Sequence, residues 1–187
     1  MPEFSPAVSK LPAHERYYLA LGRFIQRYAG IEARLQALLW RYAEVSPEVA
    51  RSIFSGVRVD QATSFIKRLH KSRGIEMHPM MVDMLDQIGI INAARNLIIH
   101  YGAEFDKGEP QFVTNQRIAN RPEDARWFPI SAQTLGALTA DIKHIQLRIT
   151  LLDQRDQMKP ERFEKRADRM LQRAWQYKHV PEAGTHP

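Results

Sequence analysis

Cysteine is missing from all 187 residues. Disulfides, thiolate catalysis and cysteine-ligated metals are therefore excluded, and the composition is compatible with a reducing compartment, so a cytoplasmic location is expected. Long apolar runs are missing as well. Charges interrupt every stretch before the roughly 18 residues that a membrane span would need, so no membrane partner is expected. The opening Met1-Pro2-Glu3-Phe4-Ser5-Pro6 carries neither a basic n-region nor an apolar h-region, and no secretory signal is read there. No Gly-rich phosphate loop follows a strand, and no internal repeat or low-complexity tract recurs. The histidines His14, His70, His78, His100, His144, His179 and His186 show no paired spacing with carboxylates, so no metal and no cofactor are assigned. Ser52 and Ser131 lack the surroundings of a nucleophile.

What is present is ordinary in amount and uneven in charge. Hydrophobic residues make up 44% and charged residues 26%, which suits one globular domain spanning 1–187. Lysine and arginine outnumber the acids 27 to 21, giving a net charge of +6. Such a balance favours polyanions, and nucleic acid is the commonest of these in a cell. Many basic proteins have no such partner, so charge alone leaves the question open.

Periodicity and punctuation predict an all-α chain with a core over about 14–157. A first helix is expected from His14 to Ala43, with Leu19, Ile25, Tyr28, Ile31, Leu35, Leu38 and Leu39 on its apolar stripe. Ser46-Pro47 opens a short helix through Phe54, and Asp60 caps a third over Gln61 to Lys71 that Gly74 closes. Pro79 starts a fourth helix, ending at Tyr101 before Gly102. The next stretch, with Gly108, Pro110, Pro122 and Pro129 around Gln111-Phe112-Val113-Thr114, reads as a loop or small hairpin inserted before the fifth helix. Ser131 caps that helix, which is expected to reach Gln157 along Leu135, Leu138, Ile142, Ile145, Ile149 and Leu152. A basic helix over about 160–177 follows, and 181–187 is expected to be a disordered tail.

The fourth helix is unusual. With Asn92 at zero and about 100° per residue, Leu85, Ile88, Gly89, Asn92, Arg95, Asn96, Ile99 and His100 share one broad face. Ile90, Ala94, Leu97, Ile98 and Tyr101 fall opposite. A helix apolar nearly all round needs cover on both sides, and buried amides, arginine and histidine need partners. A two-fold homodimer would cover Leu85, Ile88 and Ile99 and set two polar clusters opposite each other. Satisfaction within one monomer, or exposure to solvent, is the other possibility.

Arg95, Asn96 and His100, followed by Tyr101-Gly102, resemble the signature of the HEPN superfamily: an arginine, a polar residue, then a histidine four to six positions after the arginine, late in a helix. Arg-x4-His also occurs at Arg73–His78 and Arg-x5-His at Arg173–His179, but Gly74 and Pro79 break up the first and the second sits at a basic terminus. The resemblance covers the motif and, more loosely, the layout from His14 to Gln157. It implies an antiparallel helical bundle. It also implies a metal-independent endoribonuclease with a composite site at a homodimer interface, such as a toxin of a toxin–antitoxin pair or an antiphage defence effector. A cognate antitoxin or nucleotidyltransferase would then be a partner beside RNA. A dimeric, non-catalytic adaptor or nucleotide-binding module is the alternative that the same resemblance allows.

The chemistry fits these residue types. An imidazole, ordinarily titrating at about 6.5, can take the proton of a ribose 2′-OH or give one to the departing 5′-oxygen. Arg95 offers a permanently charged fork for a phosphate and its transition state. Asn96 lies one turn before His100 and can orient the ring or bind a phosphate oxygen, with Asn92 and Tyr101 in support. Participation of the 2′-OH would leave a 2′,3′-cyclic phosphate and exclude DNA. Arg162, Lys165, Arg166, Arg169 and Arg173 are candidate RNA contacts. Glu161, Glu164 and Asp168 on the same helix make a salt-bridged solvent face the plain alternative. Trp40 and Trp175 read as packing anchors rather than base-stacking platforms. The RNA target, any antitoxin and the biological trigger are not legible in the sequence.

Overall fold

Ser46 and Pro47 illustrate how short signals set helix boundaries. In the computed structural model, which describes residues 8, 10–121 and 124–178, Ser46 has extended backbone and its hydroxyl accepts from the Val49 N–H at 3.4 Å. The described elements are α1 (Ala13–Ala43), α2 (Pro47–Phe54), α3 (Val59–Ser72), α4 (Pro79–Tyr101), β1 (Glu104–Asp106), β2 (Glu109–Thr114), β3 (Trp127–Pro129), α5 (Ala132–Asp153) and α6 (Pro160–Leu171). A short 3₁₀ turn, Arg155–Gln157, lies between the last two. The chain is therefore mostly helical. No described helix is long and apolar enough to cross a membrane.

Where a loop or hairpin was expected before α5, there is a three-stranded antiparallel sheet in the order β1-β2-β3. Lys107 and Gly108 form the β1–β2 turn with φ of 47° and 82°, the positive values a tight hairpin requires. Phe112 pairs with Pro129 and Val113 with Phe128 across β2 and β3, and both Val113 and Phe128 are buried. The predicted tail, His179, His186, Pro122 and the first residues lie outside the described residues.

Several helix boundaries differ from expectation. Arg58 rather than Asp60 caps α3: its N–H donates to the Gln61 side chain at 3.2 Å, and Asp60 sits in the first turn. Helix α5 stops at Asp153, where the apolar repeat ends at Leu152 and the following residues are polar. Lys159, held extended before Pro160, then closes off any continuation. Helix α6 stops at Leu171, because the next residues serve other partners. The Gln176 and Tyr177 N–H groups donate to the buried Asp141 carboxylate at 2.9 and 2.8 Å. On α1, Leu19 is exposed and the core stripe begins instead at Tyr17, Ala20 and Phe24.

The chain divides into two compact units. Described residues of the first fall within Met1–Arg27, Ile90–Asp141 and Gln176–Pro187. Its core includes Phe24, Ile91, Ala94, Ile98, Val113, Phe128 and Leu135. Phe105 meets Tyr17 edge-on at 5.5 Å, and Phe128 meets Tyr177 at 6.2 Å. The second unit holds Tyr28–Gly89 and Ile142–Trp175. There Ile31, Leu35, Leu38, Ile66, Met84, Ile145, Ile149 and Phe163 are buried, each large side chain contributing about 1.5–3 kcal/mol.

Leu85 and Ile88 belong to that second core. Each is 1% exposed. Together with Met81 and Met84 they recur three to four residues apart and form a single buried stripe on α4. The expectation that a second copy must cover Leu85 and Ile88 is therefore corrected: this chain covers them itself. Of the three residues in that argument, Ile99 alone is exposed, at 45%.

Candidate functional site

The last three turns of α4 lie in the first unit and carry Asn92, Arg95, Asn96, His100 and Tyr101. Ala94, Leu97 and Ile98 anchor these turns in the core, which leaves the intervening polar positions on the outer side. Asn92, Arg95 and Asn96 are half-buried, whereas His100 and Tyr101 are exposed. The helix ends immediately afterwards. Gly102 has φ of 68°, a left-handed value suited to glycine, and its N–H donates to Ile98 at 3.0 Å.

Arg95 Nη1 donates to Asn96 Oδ1 at 3.0 Å. Helical spacing alone would favour His100, one turn on, as the partner of Asn96. Arg95 and His100 are about 140° apart around the axis, while Asn96 lies between them, about 40° from His100. The long arginine side chain nevertheless reaches Asn96, which thus steadies the arginine rather than the imidazole. Its amide nitrogen remains a donor for a bound oxygen. Among the described residues nothing hydrogen-bonds the His100 ring, which lies 6.2 Å from the Tyr101 ring. The cluster thus combines a fixed permanent cation, an amide and an accessible imidazole. It holds one histidine, so a reaction needing both an acid and a base must find the second group elsewhere.

Arg162, Lys165, Arg166, Arg169 and Arg173 are all exposed and belong to the second unit. Among the described residues no ion pair joins them to Glu161, Glu164 or Asp168. Glu164 instead accepts from, or pairs with, His78 Nε2 at 3.1 Å. The expected salt-bridged face is not formed there. Phe163 and Ala167, on the opposite side of α6, are buried.

A polar network in the second unit escaped the sequence reading. Arg148, 0% exposed, pairs through Nη1 with Asp83 and donates from Nη2 to the Met170 carbonyl at 2.6 Å. Its guanidinium stacks 4.3 Å from the Trp175 ring centroid, and the Trp175 indole N–H donates to the same Asp83 carboxylate at 3.1 Å. Trp175 is thus a packing anchor. The His144 ring lies 4.8 Å from the Trp175 ring. Burial, then the Arg148 and Arg173 cations, lowers the His144 pKa to about 4. A signal was available: Arg148 falls on the apolar stripe of Ile145, Ile149 and Leu152, where a buried charge demands partners.

Among the described residues no group of three His, Asp or Glu side chains comes together as a metal site. No family model matches the chain, and no match was found among curated proteins or solved structures.

Proposed function

We propose that the chain is an endoribonuclease whose site is Arg95, Asn96 and His100, completed by the same residues of a second copy. The observation that carries this reading is the pairing of Arg95 with Asn96 at 3.0 Å beside an accessible His100 at the end of one helix. Arg95 and the Asn96 amide bind the phosphate. His100 moves the proton of the ribose 2′-OH, which attacks phosphorus and expels the 5′-oxygen. The second copy's His100 supplies the complementary proton to the leaving oxygen. The net charge of +6 attracts RNA, and the exposed Arg162 and Lys165 offer backbone contacts.

The HEPN-like motif supports this reading, and with it a role as a toxin or defence effector that an antitoxin or nucleotidyltransferase restrains. Incubating the purified chain with total RNA and a chelator tests it. Fragments with 2′,3′-cyclic phosphate ends are expected, with DNA left intact. Cleavage of DNA, or linear 3′-phosphates formed without a cyclic stage, speaks against it.

A second reading has its own observation. Burial of Leu85 and Ile88 inside the chain removes most of the apolar face that a dimer around α4 was meant to cover. A non-catalytic adaptor that meets a different partner through Ile99 and Tyr101 fits that surface. Light scattering tests the first reading, which requires about twice 21.7 kDa at micromolar concentration, and a dimer that leaves RNA intact favours the second.

A further inference from the structure

Helix α5 presents His144, Leu147 and Leu151 at three- to four-residue spacing, and α6 presents Arg166, Arg169 and Met170 in the same way. With Arg173 just past the end of α6, these side chains line a cavity of about 420 Å³ in the second unit. That volume falls in the range of about 300–1,000 Å³ that small-molecule sites occupy.

The lining is one-sided in charge. Three arginines face the cavity and no carboxylate lines it. Among the described residues Arg166, Arg169 and Arg173 have no ion pair, so each keeps its donors for a ligand. Leu147, Leu151 and Met170 make the apolar part of the wall, beside the neutral polar Thr150 and Gln154, and Leu147 is 52% exposed there, a large hydrophobic side chain left open to solvent. His144 is the third feature. It is 2% exposed, and among the described residues neither ring nitrogen has a hydrogen-bond partner. Buried polar groups are normally paired, so a lone one on a cavity wall points to something that meets it there.

We propose that this cavity binds a small amphipathic anion, a carboxylate or phosphate on an apolar body. Arg166, Arg169 and Arg173 take the head group, Leu147, Leu151 and Met170 cover the body, and His144 hydrogen-bonds from the wall. Held neutral at pH 7 by burial and by Arg148 and Arg173, His144 offers one N–H and one acceptor nitrogen rather than a fourth cation. An RNA backbone fits the place less well. It is hydrophilic and leaves Leu147 uncovered. The site is independent of the α4 cluster and survives if RNA cleavage is absent.

Titration calorimetry on the full chain at pH 7 tests the proposal with decanoate, decyl phosphate below its micelle-forming concentration, decanol, inorganic phosphate and a homopolymer RNA. One equivalent of decanoate or decyl phosphate is expected to bind, the stronger of the two naming the head group. Decanol and inorganic phosphate, each carrying half of the ligand, should bind at least about tenfold more weakly. The double variant Arg166→Gln/Arg169→Gln and the rim variant Leu147→Asp should each weaken the amphiphile about tenfold or more, with unchanged circular dichroism. The His144 ring-proton resonances, identified by their loss in His144→Gln, should shift on binding.

The contrast between decanoate and decanol needs no variant and stands even if one misfolds. Absence of binding by both amphiphiles up to about 1 mM overturns the proposal. So does equal binding by wild type and the arginine variant. If only RNA binding responds to the arginines, they are backbone contacts and the cavity is not a ligand site.

Discussion

Arg95 and Asn96 are joined side chain to side chain at 3.0 Å, so two neighbours in sequence act as one group on the outer face of α4. Their effects on RNA cleavage should therefore be non-additive. Arg95→Ala is expected to lower kcat/KM by about 10²–10³, the usual loss when one transition-state donor is removed. Asn96→Ala should cost roughly tenfold, because it loosens the arginine and removes one neutral donor but leaves the permanent charge. The double variant should lose less than the product of the two. Strict multiplication of the effects in a double-mutant cycle would show that the bond does not couple them.

The buried Arg148 makes a stability prediction. Asp83→Ala leaves a guanidinium that is 0% exposed without its counter-charge and removes the Trp175 acceptor. Because the Asp83 side chain is 40% exposed, urea unfolding should show a loss of about 1–3 kcal/mol, less than for a fully buried pair. Replacing both partners, as Arg148→Met with Asp83→Leu, should cost less than Asp83→Ala alone, since no charge is stranded. Equal stability of Asp83→Ala and wild type would mean that solvent already neutralises the pair.

His144 predicts a pH dependence. Its pKa is lowered to about 4 in the folded chain, against about 6.5 when unfolded. As pH falls through about 6.5 the unfolded chain takes up a proton that the folded chain refuses, which favours unfolding. The stability that His144 contributes is thus complete above about 6.5 and lost progressively down to about 4. Unfolding free energies at pH 7 and pH 5 should drop more for wild type than for His144→Gln. Identical drops would show that His144 does not titrate differently on folding.

Much of the helical layout was legible, because its limits rest on local chemistry. Pro79 and Gly102 bound α4 by backbone geometry alone, and Ser46-Pro47 and Ser131 mark helix starts by side-chain caps. The pairing of Arg95 with Asn96 was not legible, since helical spacing sets Asn96 nearer His100 and adjacent side chains do not face each other. Burial was less legible. The period of Leu85 and Ile88 says that a face is apolar, and says nothing of whether the same chain or another covers it. The Arg148 group draws on Asp83, Met170 and Trp175, which only tertiary folding gathers. The sheet was half visible, since Gln111–Thr114 has strand character but β3, only Trp127–Pro129, is too short to show an alternating pattern.

His100 carries the central claim, and its replacement by alanine is the direct measurement. The side chain is exposed and near the end of α4, so His100→Ala should leave helix content and assembly state unchanged. Matched, folded preparations of wild type and variant would be compared on total RNA with chelator present, so that contaminating metal-dependent nucleases stay silent. Loss of a proton-transfer group predicts a fall in cleavage of about 10²–10⁴-fold. Equal cleavage by the two proteins, or cleavage by neither, would contradict the account.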